Sequence, residues 1–196
     1  MNAQSVARKV TDAVVRRPWT WRFFRGRMQR VFDELAPTWE TRLGPHHLHA
    51  LQQAVAGLEP RSIVDVGTGT GKAAIALAEW FPNAEVVGVD LSPAMVAEAE
   101  RRAAGRVRFH VGDASSLPFP DGSFDLVVLM NAIPFFDELA RITAPGGVVV
   151  SSFSRGSETP IYVSDERLRR ELGRRGFGAF SSFAADPATA LRARKL

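Results

Sequence analysis

Short apolar runs alternating with helix-patterned stretches from Arg61 onward predict an α/β fold, built on a mostly parallel, doubly wound sheet. Two further observations support it. Glycines at 67, 69 and 71 follow the first buried-type run, Ser62–Val66, where a parallel strand must turn tightly into a helix. Further strand-like runs recur at 85–89, 107–111, Phe124–Met130 and 148–153.

Two helices open the chain. Pro18 breaks the first, and the second runs over about 19–35, with Gly26 as a weak point. Pro37 and the Gly44-Pro45 pair precede a helix over 46–57 that stops near Gly57. Within the sheet region, helices are expected over 71–80, 93–104 and 135–142. The second is capped by Ser92 and carries Pro93 at its first position. Ser164 caps a last helix, 165–175, stopped at Gly176. Runs at 177–184 and 189–194, turned at Asp186-Pro187, then form a hairpin on the sheet edge.

Composition narrows the function. A chain of 196 residues, 45% hydrophobic and 23% charged, has ordinary globular make-up and room for one sizeable core. The absence of cysteine excludes disulfides, thiolate catalysis and Cys-ligated zinc. No run approaches the roughly 20 apolar residues of a membrane span, and the N-terminus does not read as a signal peptide, so the cytoplasm is the expected location. Net charge is +4 and unevenly spread. Residues 1–30 hold eight Arg or Lys against one acid, the middle 31–154 holds eight against fifteen, and 155–196 holds nine against five. A uniformly basic nucleic-acid binder would not look like this. The change in character divides the chain into a basic aromatic extension, 1–31, and a domain, 32–196.

The glycine-rich turn allows close backbone approach to a ligand beside free helix N–H donors. A P-loop would need Ser or Thr after Lys72 and a glycine at 66; the chain has Ala73 and Val66. A dinucleotide fingerprint starting at Gly67 meets Lys72 and fails, although a frame from Gly69 reaches Ala74, which keeps NAD as a weakened alternative. Asp65 favours a third reading, because a carboxylate there accepts hydrogen bonds from a cationic amino-acid moiety and repels a pyrophosphate. Asp90, closing the second strand, suits two ribose hydroxyls of either ligand. Asp113, after the third, stands where a carboxylate could read an adenine amino group. Short-chain dehydrogenase chemistry lacks its Tyr-x-x-x-Lys pair, since Tyr162 is followed by Glu166.

Taken with Val87–Met95, Gly112–Phe119, Phe124–Val128 and Leu139–Gly147, the segment Val64–Gly71 resembles class I S-adenosylmethionine-dependent methyltransferases, in particular the small-molecule domain family that includes ubiquinone and menaquinone methyltransferases. The segments occur in the family's order over about 32–155. The resemblance implies a Rossmann-like, seven-stranded sheet with an antiparallel last strand, S-adenosylmethionine as cofactor, and methyl transfer to oxygen, carbon or nitrogen of a small molecule. It also implies that Asp65, Gly67, Thr68, Gly69 and Gly71 line the methionine side and that Asp90 holds the ribose. Leu91 and Met95 then lie against the adenine, Asp113 and Ala114 read its edge, and Asn131 and Ala132 border the methyl group. Trp39 lies in a segment, 32–39, resembling the helix that closes over the cofactor. No catalytic residue follows from the family. A non-catalytic cofactor-binding protein of the same fold and an RNA methyltransferase are the alternatives.

Three features stand outside these motifs. His46 and His49 share a helical face while His47 points elsewhere, and without a carboxylate motif no metal site is expected; the functional reading for one of them is a base at the substrate mouth. Asn131-Ala-Ile-Pro-Phe-Phe136 departs from the contiguous Asn-Pro-Pro-aromatic motif of nucleobase and amide methyltransferases, which argues against such substrates. The head mixes cations with aromatics through 8–30. Its readings are a solvated extension over the active site, peripheral contact with an anionic membrane surface, or RNA binding without a recognisable stacking module. Oligomeric state has no sequence signal.

Overall fold

The structure, a computed structural model, describes residues 3–42, 44 and 47–196. Seven strands form one sheet: β1 (Ser62–Val66), β2 (Glu85–Asp90), β3 (Arg108–Val111), β4 (Phe124–Met130), β5 (Thr143–Phe153), β6 (Phe177–Ala185) and β7 (Ala188–Lys195), in the order β3-β2-β1-β4-β5-β7-β6. The first five run parallel to one another, and β7 is antiparallel to both β5 and β6. This is the Rossmann-like, seven-stranded sheet with an antiparallel last strand that the resemblance implied. The two-residue turn at Asp186 and Pro187 makes the final pair antiparallel, and β7 rather than β6 takes the inner place.

Alternation along the central strands builds two cores. Ile63, Leu126 and Val128 pack with Leu51, Leu77 and Ala99 from helices α3 (His49–Val55), α4 (Lys72–Trp80) and α5 (Pro93–Ala103). Val64, Val127 and Leu129 face the other way, against Leu139 of α6 (Phe136–Ile142) and Leu168 and Leu172 of α7 (Asp165–Gly173). Helix starts follow the expected chemistry. The Met95 N–H donates to the Ser92 hydroxyl at 3.1 Å, and Pro93 opens α5 with the N–H it lacks.

The boundaries differ from expectation in three places. β5 begins at Thr143 instead of 148, because Thr143 pairs with Phe124 across an irregularity between Phe124 and Leu126. α3 is shorter than the expected 46–57, and position 46 lies outside the described residues. α7 ends at Gly173, where the Arg174 N–H folds back onto Arg170 and Leu172 carbonyls.

The N-terminal segment packs onto the domain. In α1 (Ala3–Arg16), Val10 and Val14 are buried with Trp21 and Phe135, and Val15 joins the α6–α7 core. The Arg8 guanidinium donates to the carbonyls of Ser157 and Thr159 at 2.6 and 2.8 Å. α2 (Trp21–Leu35) reaches α5, where Asp33 accepts the Ser92 hydroxyl and, at 3.3 Å, the Ala94 N–H. A 3₁₀ segment, Ala36–Arg42, then crosses the glycine-rich turn. No described helix is long and apolar enough to cross a membrane.

Candidate active site

The carboxyl ends of β1, β2 and β4 open into a cleft of about 770 Å³, where doubly wound sheets bind ligands. After β1 the chain turns through Gly67 at φ +74° and Gly69 at φ +55°, left-handed values that favour glycine. A Cβ on Gly67 would lie 2.6 Å from Ala132 Cβ, so this turn also admits no side chain. The Gly67 and Thr68 N–H groups donate to the Val89 carbonyl at 2.8 and 3.0 Å, which ties the turn to β2.

Asp90 ends β2 at the floor of this cleft. Its Oδ2 accepts the Gly69 N–H at 2.8 Å and its Oδ1 the Ser92 N–H at 2.9 Å. Each oxygen keeps further lone-pair capacity, which two vicinal hydroxyls would use. Burial pushes its pKa up, against the opposing pull of these backbone donors. Leu91, Met95 and Ala114 continue the wall as apolar surface. Thr68 and Ala132 also line the cleft, beside Asn131 at the end of β4. Asn131 adopts φ +53°, uncommon for a non-glycine residue. Its amide is held on both sides: Nδ2 donates to the Ser154 hydroxyl and Oδ1 accepts the Ser154 N–H, each at 2.9 Å. Trp39 leans its indole edge towards Gly69 and meets Phe32 edge-on at 5.7 Å.

Three expected contact residues lie off the cleft wall. Asp65 shares the Ile63 face of β1, so it sits fully buried beneath the turn, where Thr68 donates its hydroxyl at 2.7 Å and Ala74 its N–H. Its Oδ1 has no partner among the described residues, and burial pushes its pKa up to about 7. Gly71, at φ +81°, caps α4, and Phe109 packs against it. Asp113 is taken up locally: Oδ1 accepts the Trp21 indole N–H at 2.9 Å together with the N–H and hydroxyl of Ser115.

Other cleft residues carried no sequence signal for this role. Lys72, partly exposed at the start of α4, stands 3.8 Å from Glu40 at the cleft edge. Glu40 also accepts the Thr70 hydroxyl and meets Arg102 at 3.0 Å, so it fastens the 3₁₀ segment over the turn. Among the histidines, His47 is buried on the cleft wall, with its pKa lowered to about 4 by burial and then by Lys72; His49 is exposed, and His46 lies outside the described residues. Arg42 and Arg155 bring two cations to the cleft, and Trp21, Ile133, Phe135 and Ile161 widen its apolar wall. The aromatic content of the head was the one available clue to Trp21.

Residues 63–147 match a family model described as a methyltransferase domain. A demethylmenaquinone methyltransferase of Thermus thermophilus is 46% identical over 101 residues, covering 46% of this chain and 46% of that protein. One of Beutenbergia cavernae is 34% identical over 153 residues, covering 70% and 61%. The chain thus spans about half the length of such curated relatives, 46% of the Thermus protein and 42% of one from Deinococcus radiodurans. In fold, the chain is similar to a SAM-dependent methyltransferase of Thermotoga maritima, described as a possible histamine N-methyltransferase, with a TM-score of 0.67, 21% identity and coverage of 86% and 100%. The residues present fit S-adenosylmethionine: Asp90 offers a fixed carboxylate with spare acceptor capacity, Leu91 and Met95 an apolar wall, and the turn at 67 and 69 has no side chains.

Proposed function

We propose that this chain transfers a methyl group from S-adenosylmethionine to a flat, apolar, small-molecule acceptor of the phenol or quinol class. The observation that carries this reading is the cleft itself. Beyond the cofactor residues, Trp21, Phe32, Ile133, Phe135 and Ile161 give an aromatic and aliphatic wall, and the charged groups on it are cationic ones, Arg42 and Arg155, besides Asp90 and the Glu40-paired Lys72. Apolar walls with a few polar groups favour a hydrophobic ring system, and the arginines favour its ionised, more nucleophilic oxygen or enolate carbon. The names of the Thermus and Beutenbergia relatives point to acceptors of the same chemistry.

The cofactor supplies an electrophilic methyl group on a sulfonium that becomes a neutral thioether on transfer. The chain's residues do the rest by alignment and exclusion of water. Asp90 anchors the ribose, Asp65 braces the glycine turn from beneath through Thr68, and Asn131 with Ala132 borders the transfer path. Trp39 and the segment held by Glu40 cover the turn. A hydroxyl acceptor loses its proton to solvent before attack. His47, neutral at pH 7, accepts a hydrogen bond from that hydroxyl, and Arg155 stabilises the resulting anion.

Transfer of labelled methyl from S-adenosylmethionine to a panel of phenols, quinols and amines tests this directly. Phenols or quinols should be labelled, with kcat reduced about tenfold or more in Arg155→Gln. Labelling confined to amines would overturn the acceptor class. Tight S-adenosylhomocysteine binding with no labelling of any acceptor would make the chain a binding protein.

A further inference from the structure

A second cavity, about 550 Å³, lies between the start of α2 and helices α6 and α7, outside the cofactor cleft. Six arginines line it: Arg16, Arg22, Arg25, Arg167, Arg174 and Arg175. Three are balanced. Arg175 meets Asp137 at 2.6 Å, Arg174 meets Glu171 at 3.6 Å, and Arg25 meets Asp113 at 3.7 Å. Arg16, Arg22 and Arg167 have no carboxylate partner among the described residues, and the Arg167 Nε is buried without an acceptor there. A furrow with this surplus of guanidinium donors is built for phosphate oxygens.

The rim of the same furrow is aromatic. Trp19 lines it at 57% exposure, and Phe23, one helical turn on, is 64% exposed. The Arg22 guanidinium lies over both rings, 5.5 and 4.7 Å from their centroids. Large exposed rings with arginines among them are the arrangement of an interfacial membrane anchor, in which rings enter the headgroup layer and cations meet its phosphates. The segment's charge, eight basic residues against one acid through residue 30, complements an anionic leaflet and opposes pairing with a second copy of itself. A single-stranded RNA fits less well, because Trp19 and Phe23 meet edge-on at 80°, each covered by Arg22, and offer no parallel platform for successive bases.

We infer that the N-terminal helices dock this chain on an anionic lipid surface, with Trp19 and Phe23 entering the headgroup layer and the arginine furrow taking lipid phosphate. Trp21 and Phe135 line both the furrow and the cofactor cleft, so docking sets the cleft mouth beside the lipid. That placement suits the apolar acceptor proposed above, but docking does not depend on methyl transfer.

Co-sedimentation of the full chain with vesicles tests the inference. Vesicles of phosphatidylcholine with phosphatidylglycerol should pellet the chain at low salt, and pure phosphatidylcholine should not. Trp19→Ser with Phe23→Ser should weaken partitioning roughly tenfold, and Arg16→Gln with Arg22→Gln roughly 25-fold, from about fivefold per charge. These side chains are exposed, and an unchanged thermal midpoint shows that each variant is folded. Equal pelleting on neutral vesicles overturns the inference, as does undiminished pelleting of folded aromatic variants. Displacement from vesicles by free glycerol phosphate at equal phosphate concentration would make the furrow a soluble-phosphate site. Tighter binding of single-stranded RNA than of anionic vesicles at the same salt would make the surface a nucleic-acid one. Either result overturns lipid docking. Pelleting without any methyl transfer leaves docking standing and removes only the acceptor proposal.

Discussion

Asp90 and Gly67 show how much of the cleft depends on single positions. Asp90→Ala removes the proposed acceptor for two ligand hydroxyls and leaves the Gly69 and Ser92 N–H groups without their carboxylate. Hydrogen bonds to a charged group contribute about 1.5–3 kcal/mol each, so affinity for S-adenosylhomocysteine should fall about 100-fold or more in calorimetric titration. A variant that binds as wild type would remove Asp90 from the site. Gly67→Ala faces two separate costs, a left-handed φ and a 2.6 Å approach to Ala132 Cβ. Together they should destabilise the fold by about 2–4 kcal/mol. Adding Ala132→Gly relieves only the contact, so the double variant should recover part of the loss in denaturant titration. Full recovery would show that φ carries none of it.

The 3₁₀ segment Ala36–Arg42 connects the lid to the turn it covers. Glu40 is partly exposed, so its ties to Thr70, Lys72 and Arg102 contribute little to global stability, and Glu40→Ala should cost no more than about 1 kcal/mol. Its effect belongs on cofactor retention, with KM for S-adenosylmethionine rising severalfold and kcat nearly unchanged; a fall in kcat alone would contradict a lid role. The same elements show what the chain discloses before folding. Strands β1, β2 and β4 were readable because burial on both faces demands continuous apolar runs, and α5 because Ser92 and Pro93 mark its start chemically. The glycine turn and Asp90 were readable because backbone geometry and ligand chemistry restrict those positions to few residue types. Asp65 and Asp113 were read as ligand contacts; in the fold Asp65 lies on the buried face of β1 and accepts the Thr68 hydroxyl, and Asp113 accepts the indole N–H of Trp21, 92 positions away in sequence. The apolar half of the cleft stayed hidden for the same reason. Its residues come from α2, the β4–α6 loop and 160–161, and no local period joins them.

Two buried ionisable groups, Asp65 and His47, add opposing slopes to the pH profile, and Asp90, raised by burial, adds to the slope of Asp65. Asp65 titrates near pH 7 in the fold against an ordinary 3.8, so the stability it contributes is complete at acid pH and is lost as pH rises towards 7. His47 titrates near 4 against 6.5, so its contribution is complete above 6.5 and is lost as pH falls towards 4. Between 4 and 6.5 the two offset each other. Relative to wild type, Asp65→Asn should therefore make stability climb more with pH across this window, and His47→Asn make it decline more, both read from denaturant midpoints. Parallel profiles in the two variants would contradict the assignment. The four tryptophans are also distributed so that each environment has its own reporter. Trp21 and Trp39 stand on the cleft wall, Trp80 packs against the α3–α5 core, and Trp19 is exposed at the furrow. Intrinsic fluorescence therefore reads ligand occupancy as quenching at two indoles and transfer of Trp19 out of water as a blue shift, so one emission spectrum can follow two separate binding events in the unlabelled chain.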